Sequence, residues 1–196
     1  MIDGPGLDPA RTALLVMDYQ VGLLHRLPDA QGLLEGLHTS VTNVRANGGH
    51  VAWVRVAFTT ADFDAIPPSS VMARMTGPDR RAAMHADAPT SQLHPSLAPK
   101  PHDITVRKTR VGAFTTTDLD EQLRSRAIFT LILAGISTSG VVLSTVREAT
   151  DRDYQLVVLD DATADPDPAT HAFLTATIFP RHVIVIDVDD LPELWT

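Results

Sequence analysis

Three short segments of the chain carry side chains that could do chemistry together. Asp18, in Met17-Asp18-Tyr19-Gln20, supplies a carboxylate, and Lys108, in Val106-Arg107-Lys108-Thr109-Arg110, supplies an ammonium. Residues 135–141 read Gly-Ile-Ser-Thr-Ser-Gly-Val, a hydroxyl-rich entry to a helix. A carboxylate gives or takes a proton, and a nearby ammonium holds it ionised or stabilises developing negative charge. A helix N-terminus offers backbone amides to an anion. Each group also has an ordinary structural role. An Asp leaving a strand often forms a turn, a Lys there is usually solvated, and Ser137, Thr138 and Ser139 read equally as helix caps.

Other chemistry is closed. The chain has no cysteine, so no thiolate nucleophile, disulfide or cysteine metal site exists. The histidines are scattered, with no pair at ligand spacing, and no phosphate loop or dinucleotide fingerprint is present. The sequence therefore predicts neither metal nor cofactor. A net charge of −8 argues against nucleic acid or an anionic membrane as partner. No apolar run approaches the roughly 20 residues that span a bilayer. Met1-Ile2-Asp3-Gly4-Pro5 lacks the basic start of a signal peptide. A cytoplasmic protein with a small-molecule partner is expected.

The elements that must position these groups alternate along the chain. Apolar, β-branched runs at 12–17, 51–57, 103–107, 129–134, 155–159 and 183–187 read as six strands. Helical spacing falls between them. Residues 30–47 end at Asn47-Gly48-Gly49, and residues 138–152 carry Val142, Val146 and Ala149 on one stripe. Asp167 and Pro168 open a last helix whose expected inner stripe is Ala169, Ala172, Phe173 and Ala176. Residues 58–102 break the rhythm with repeated prolines and allow one short helix around 70–85. That excursion is either a lid or pocket wall or a solvated loop. The alternation predicts an α/β fold, with a parallel sheet between two helix layers, in one domain over 1–196. Ligands of such sheets bind beyond the carboxyl ends of the strands, where Asp18, Lys108 and residues 135–141 all fall.

The chain resembles the isochorismatase-like superfamily, which includes isochorismatases, nicotinamidases and N-carbamoyl-amide hydrolases. The carrying segments are residues 12–20 with Asp-x-Gln, residues 106–114 with Lys-x-x-x-x-Ala-Phe, and the glycine-led segment 135–149. The resemblance implies a Rossmann-like sheet ordered 3-2-1-4-5-6, and a non-proline cis peptide near Ile136-Ser137. It also implies self-association, most simply as a dimer, with Trp53, Trp195 and the methionines of 58–102 as candidate contacts. In most of the family an Asp, a Lys and a Cys form the site. The first two map to Asp18 and Lys108, and the Cys maps to Val141.

Val141 has no lone pair, so a thioester route to amide hydrolysis is closed at that position. Isochorismatases also lack the Cys, and their resemblance implies an Asp acting as acid on a vinyl ether. That leaves Asp18 and Lys108 as catalytic candidates, with Tyr19, Gln20, Phe114, Ser137, Thr138, Ser139 and Gly140 as candidate substrate contacts. The rival reading is a non-catalytic member that kept the fold for binding or assembly.

Overall fold

The computed structural model describes residues 6–196; the N-terminal reading of Met1–Pro5 lies outside them. Six strands form one sheet: β1 (Thr12–Met17), β2 (His50–Val56), β3 (Ile104–Lys108), β4 (Thr130–Ile136), β5 (Gln155–Ala164) and β6 (Ile184–Ile186). The order is β3-β2-β1-β4-β5-β6, and every pairing is parallel.

The helices follow the strands: α1 (Val21–Leu24), α2 (Ala30–Ala46), α3 (Thr60–Asp64), α4 (Val71–Met75), α5 (Pro78–Met84), α6 (Leu119–Ser125), α7 (Leu143–Thr150) and α8 (Pro168–Phe173). Strand side chains alternate between the two faces. Leu14 and Val16 of β1 join Leu37, Val41 and Val44 of α2 in one core. Leu15 and Met17 join Leu119, Leu123, Val146 and Ala149 of α6 and α7 in the other. This double burial explains why β1 and β4 read as unbroken apolar runs.

Three features differ from the expectations. The 58–102 excursion holds three short helices, α3 to α5, rather than one. The first, α3, is closed by a capping box in which Thr59 and Asp62 satisfy each other's orphan donors. The helix entry at 138 is a π-helical turn, Thr138–Val142, before α7 begins. The third difference is in α8 and its π-helical extension, Leu174–Ile178. Leu174 and Thr175 turn inward there, while Ala169, Ala172, Phe173 and Ala176 face outward. Leu174 joins the core with Phe179, and these large side chains remove more apolar area from water than three alanines do. The tryptophans turn inward as well: Trp53 Nε1 donates to Asp103 Oδ2 at 2.8 Å, and Trp195 Nε1 donates to Asn43 Oδ1 at 2.6 Å.

Candidate active site

Asp18 is the first residue beyond β1. Its N–H still donates to Val54 O at 2.8 Å, but its φ of +61° turns the chain out of the strand. Left-handed backbone is costly for a side chain with a Cβ, by about 1–2 kcal/mol, and Asp tolerates it better than most. Lys108 ends β3, two strands away across β2. The two side chains meet: Lys108 Nζ lies 2.8 Å from Asp18 Oδ2. The same ammonium donates to Arg110 O at 3.2 Å and Val111 O at 2.9 Å, so its three donors are all used. The pair is enclosed, with Lys108 2% and Asp18 4% exposed.

The second carboxylate oxygen, Asp18 Oδ1, is buried with no hydrogen-bond partner. Burial raises the Asp18 pKa above the usual carboxylate value, and Lys108 and the Val56 backbone oppose that rise. A group held this way can carry a proton at higher pH than a surface Asp.

The third segment packs beside β1. Gly135 pairs with Met17, and a Cβ built there would sit 2.9 Å from Val142 Cγ2, so the close approach needs glycine. The Ile136-Ser137 peptide is cis. Thr138 is buried, and its Oγ1 lies 2.8 Å from His171 Nδ1; His171 Nε2 lies 3.1 Å from Asp160 Oδ1. Ser139 donates both its N–H (2.8 Å) and its hydroxyl (2.6 Å) to Asp165 Oδ2. The Gly140 N–H donates to Ser137 O at 3.2 Å. The amides of Ser139 and Gly140 are thus already engaged, and the anion at this helix entry is the protein's own Asp165. Val141, 2% exposed, lies in the same apolar cluster as Met17, Ala113 and Phe114.

The isochorismatase domain matches residues 12–190, nearly the whole chain. The chain belongs to the isochorismatase family. Among isochorismatase-family relatives, an uncharacterised member from Bacillus subtilis, YwoC, is 32% identical, covering 92% of each chain. The ureidoacrylate amidohydrolase RutB of Methylobacterium radiotolerans is also 32% identical, covering 83% of this chain and 70% of its own. A solved isochorismatase-family structure from Burkholderia thailandensis superposes with a TM-score of 0.79 at 30% identity, covering 97% of each chain.

The other candidate residues of this isochorismatase-family chain have defined places. Tyr19 is buried and its hydroxyl donates to Ala162 O at 2.7 Å; burial and the charge of Asp161 push its pKa well up. The Gln20 side chain donates to Val56 O (2.9 Å) and Ser91 O (2.5 Å) and accepts from Val56 N (2.9 Å). These bonds tie the end of β1 to β2, β5 and the excursion. Phe114 stacks on Tyr154 with centroids 5.8 Å apart. The excursion forms its own cleft of about 470 Å³, lined by residues between Thr60 and Ala88, and neither Asp18 nor Lys108 lines it. Tyr19→Phe is expected to cost about 1 kcal/mol, the usual net value of one hydrogen bond, read as a lower urea midpoint with unchanged slope.

The sequence reading did not single out His171, Asp160 or Asp165. A signal existed: Asp160 directly follows the 155–159 run read as a strand, and Asp165 is the first residue beyond the carboxyl end of β5, where the same rule that selected Asp18 applies. In the sequence His171 is one of the scattered histidines with no partner at ligand spacing.

Proposed function

We propose that this protein is a cysteine-independent small-molecule hydrolase in which Asp18 is the general acid and base and Lys108 its electrostatic partner. The observation that carries the reading is the buried Asp18–Lys108 pair with one carboxylate oxygen left unpartnered. A buried ion pair has little stability advantage over apolar packing, so its presence favours a chemical role. Perturbed carboxyls in enclosed sites are candidates for proton transfer.

Vinyl-ether hydrolysis is the reaction that needs no more than these groups. Asp18 gives its proton to the terminal vinyl carbon, leaving an oxocarbenium ion. Water adds to that ion and returns a proton to the Asp18 carboxylate. The hemiketal so formed collapses to a ketone and an alcohol. Tyr19, Gln20, Phe114 and residues 137–140 shape the surroundings of Asp18 in this reading, which also includes a cytoplasmic setting. The burial of Asp18, Lys108 and Val141 favours a second reading, a binding or assembly protein without turnover.

A screen of vinyl ethers and amides with the purified chain separates the two. A turnover found there should survive iodoacetamide, which removes any contaminating cysteine hydrolase. The rate should fall as pH rises through the Asp18 pKa, because the acid form is consumed. Lys108→Met removes the charge that lowers that pKa, so the falling limb should move to higher pH. A limb that stays in place, or moves down, would exclude Asp18 as the titrating acid.

A further inference from the structure

A second cleft, of about 590 Å³, opens where the carboxyl end of β5 meets the start of α2 and the 3₁₀ turn after β6. Neither Asp18 nor Lys108 lines it. Its size falls within the roughly 300–1,000 Å³ of small-molecule sites. Asp29, Glu35, Asp161, Asp165 and Asp189 all line it, and no Lys or Arg does. Among the described residues, none of these carboxylates is paired with a Lys or Arg elsewhere. The sequence accounts for the imbalance: residues 27–44 hold no Lys or Arg, and Arg181 is the only one after Arg152. His171 also lines the cleft, with its ring turned to Thr138 and Asp160. Burial, together with the charges of Asp187 and Asp160, pushes the Asp161 carboxyl up against the opposing backbone bond from Val188, as crowded negative charge should.

The cleft also holds a polar group with no partner. Thr163 lines it while only 3% exposed, and its hydroxyl oxygen is buried without a hydrogen bond. Buried hydroxyls are ordinarily bonded, so an orphan one beside a cleft points to a ligand that satisfies it. A bulge delivers Thr163 to this place. Between the pairs Leu133–Val158 and Gly135–Thr163, Leu159 to Ala162 of β5 stand opposite Ala134 alone. Bulges of this kind re-aim side chains and recur beside sites. Leu27, Leu33 and Val188 give the same cleft apolar surface, and Gly32 and Gly36, one turn apart on α2, leave it room.

The carboxylates are spread around the cleft and not gathered on a point. Among the described residues no group of three or more Asp, Glu or His is placed to share a metal ion. Separated negative charges with apolar surface between them suit a methylene chain that carries ammonium groups at intervals. Each ammonium donates several hydrogen bonds, which carboxylates and a threonine hydroxyl accept. We propose that this cleft binds an aliphatic polyamine, with its ammonium groups on the carboxylates of α2, β5 and the turn after β6, and one N–H donated to Thr163 Oγ1. The inference is independent of any role for Asp18.

Spermine is the probe. Titration calorimetry of the full chain in about 150 mM NaCl, which screens exposed charges beyond about 8 Å, should show saturable binding with Kd below about 1 mM. Mg²⁺ over the same range should give no such binding. Glu35→Gln combined with Asp189→Asn should weaken spermine about tenfold. Asp64→Asn combined with Asp79→Asn removes the same charge from exposed positions on α3 and α5, and should leave the affinity as it was. Thr163→Val keeps the shape and removes only the hydroxyl. It should weaken spermine roughly three- to tenfold, the loss of one hydrogen bond, with the melting temperature of the free chain unchanged or raised. Circular dichroism of each variant confirms the fold. Absence of saturation, equal binding of Mg²⁺, equal losses in the two double variants, or parental affinity in Thr163→Val would each overturn the proposal.

Discussion

Asp18→Asn should lower turnover by about 10²–10⁴, the usual contribution of a general acid or base, with the fold retained. Asn keeps the shape, tolerates the left-handed backbone at φ +61°, and still accepts from Lys108. The ionisable proton and the negative charge that faces Lys108 are lost together. The measurement is kcat on whichever substrate the screen identifies, with melting temperature as the check on folding. Ser139→Ala is the matched control. Its hydroxyl is held by Asp165 and its site role is to orient the helix entry, so it should cost less than tenfold. Wild-type turnover in Asp18→Asn would remove the proposed mechanism. A loss confined to Ser139→Ala would move the chemistry to the serine.

Lys108→Met should produce the largest change in stability. The Asp18 carboxylate would remain buried without its counter-charge, and breaking a buried pair from one side costs about 3–5 kcal/mol. The sign with pH follows from the direction of the shift. The folded Asp18 pKa is already raised, and losing Lys108 raises it further. The folded state then holds a proton that the unfolded chain releases near 3.9, the ordinary carboxylate value. The deficit should therefore be small in acid, grow as pH rises through the folded pKa, and be largest above it. Urea unfolding at several pH values measures this directly. Asp18→Asn combined with Lys108→Met removes both charges and should regain part of the loss, a coupling of about 1–3 kcal/mol. A Lys108→Met variant as stable as the parent at neutral pH would show that the pair is not an ionic one.

The sheet and the Asp18–Lys108 pair were legible because they obey short-range rules. Leu14 to Met17 and Leu131 to Ala134 read as strands since both their faces are buried, and the residues just beyond strand ends are fixed by topology. What was not legible depended on distant partners. Nothing near His171 states that its ring meets Thr138, 33 residues earlier, and an alanine stripe gives no hint of which side faces the core. The enclosure of Val141 was equally hidden, because it depends on Met17 and Phe114 arriving from two other elements. The helices of 58–102 were obscured by proline, which breaks periodicity yet also starts α5 at its first position.

The strand order also has a history in time. β1 lies in the middle of the sheet, yet its second neighbour, β4, begins 118 residues later, from Thr12 to Thr130. Synthesis at about 5–20 residues per second separates them by roughly 6–24 seconds. During that interval β2 and β3 can pair on one side, while the other edge of β1, Ala-Leu-Leu-Val-Met, stays open with its backbone donors and acceptors unpaired. A nascent chain is thus most vulnerable to joining its neighbours on the ribosome before residue 136 has emerged. Chaperone cover over that window would matter more to its yield than the stability of the finished fold.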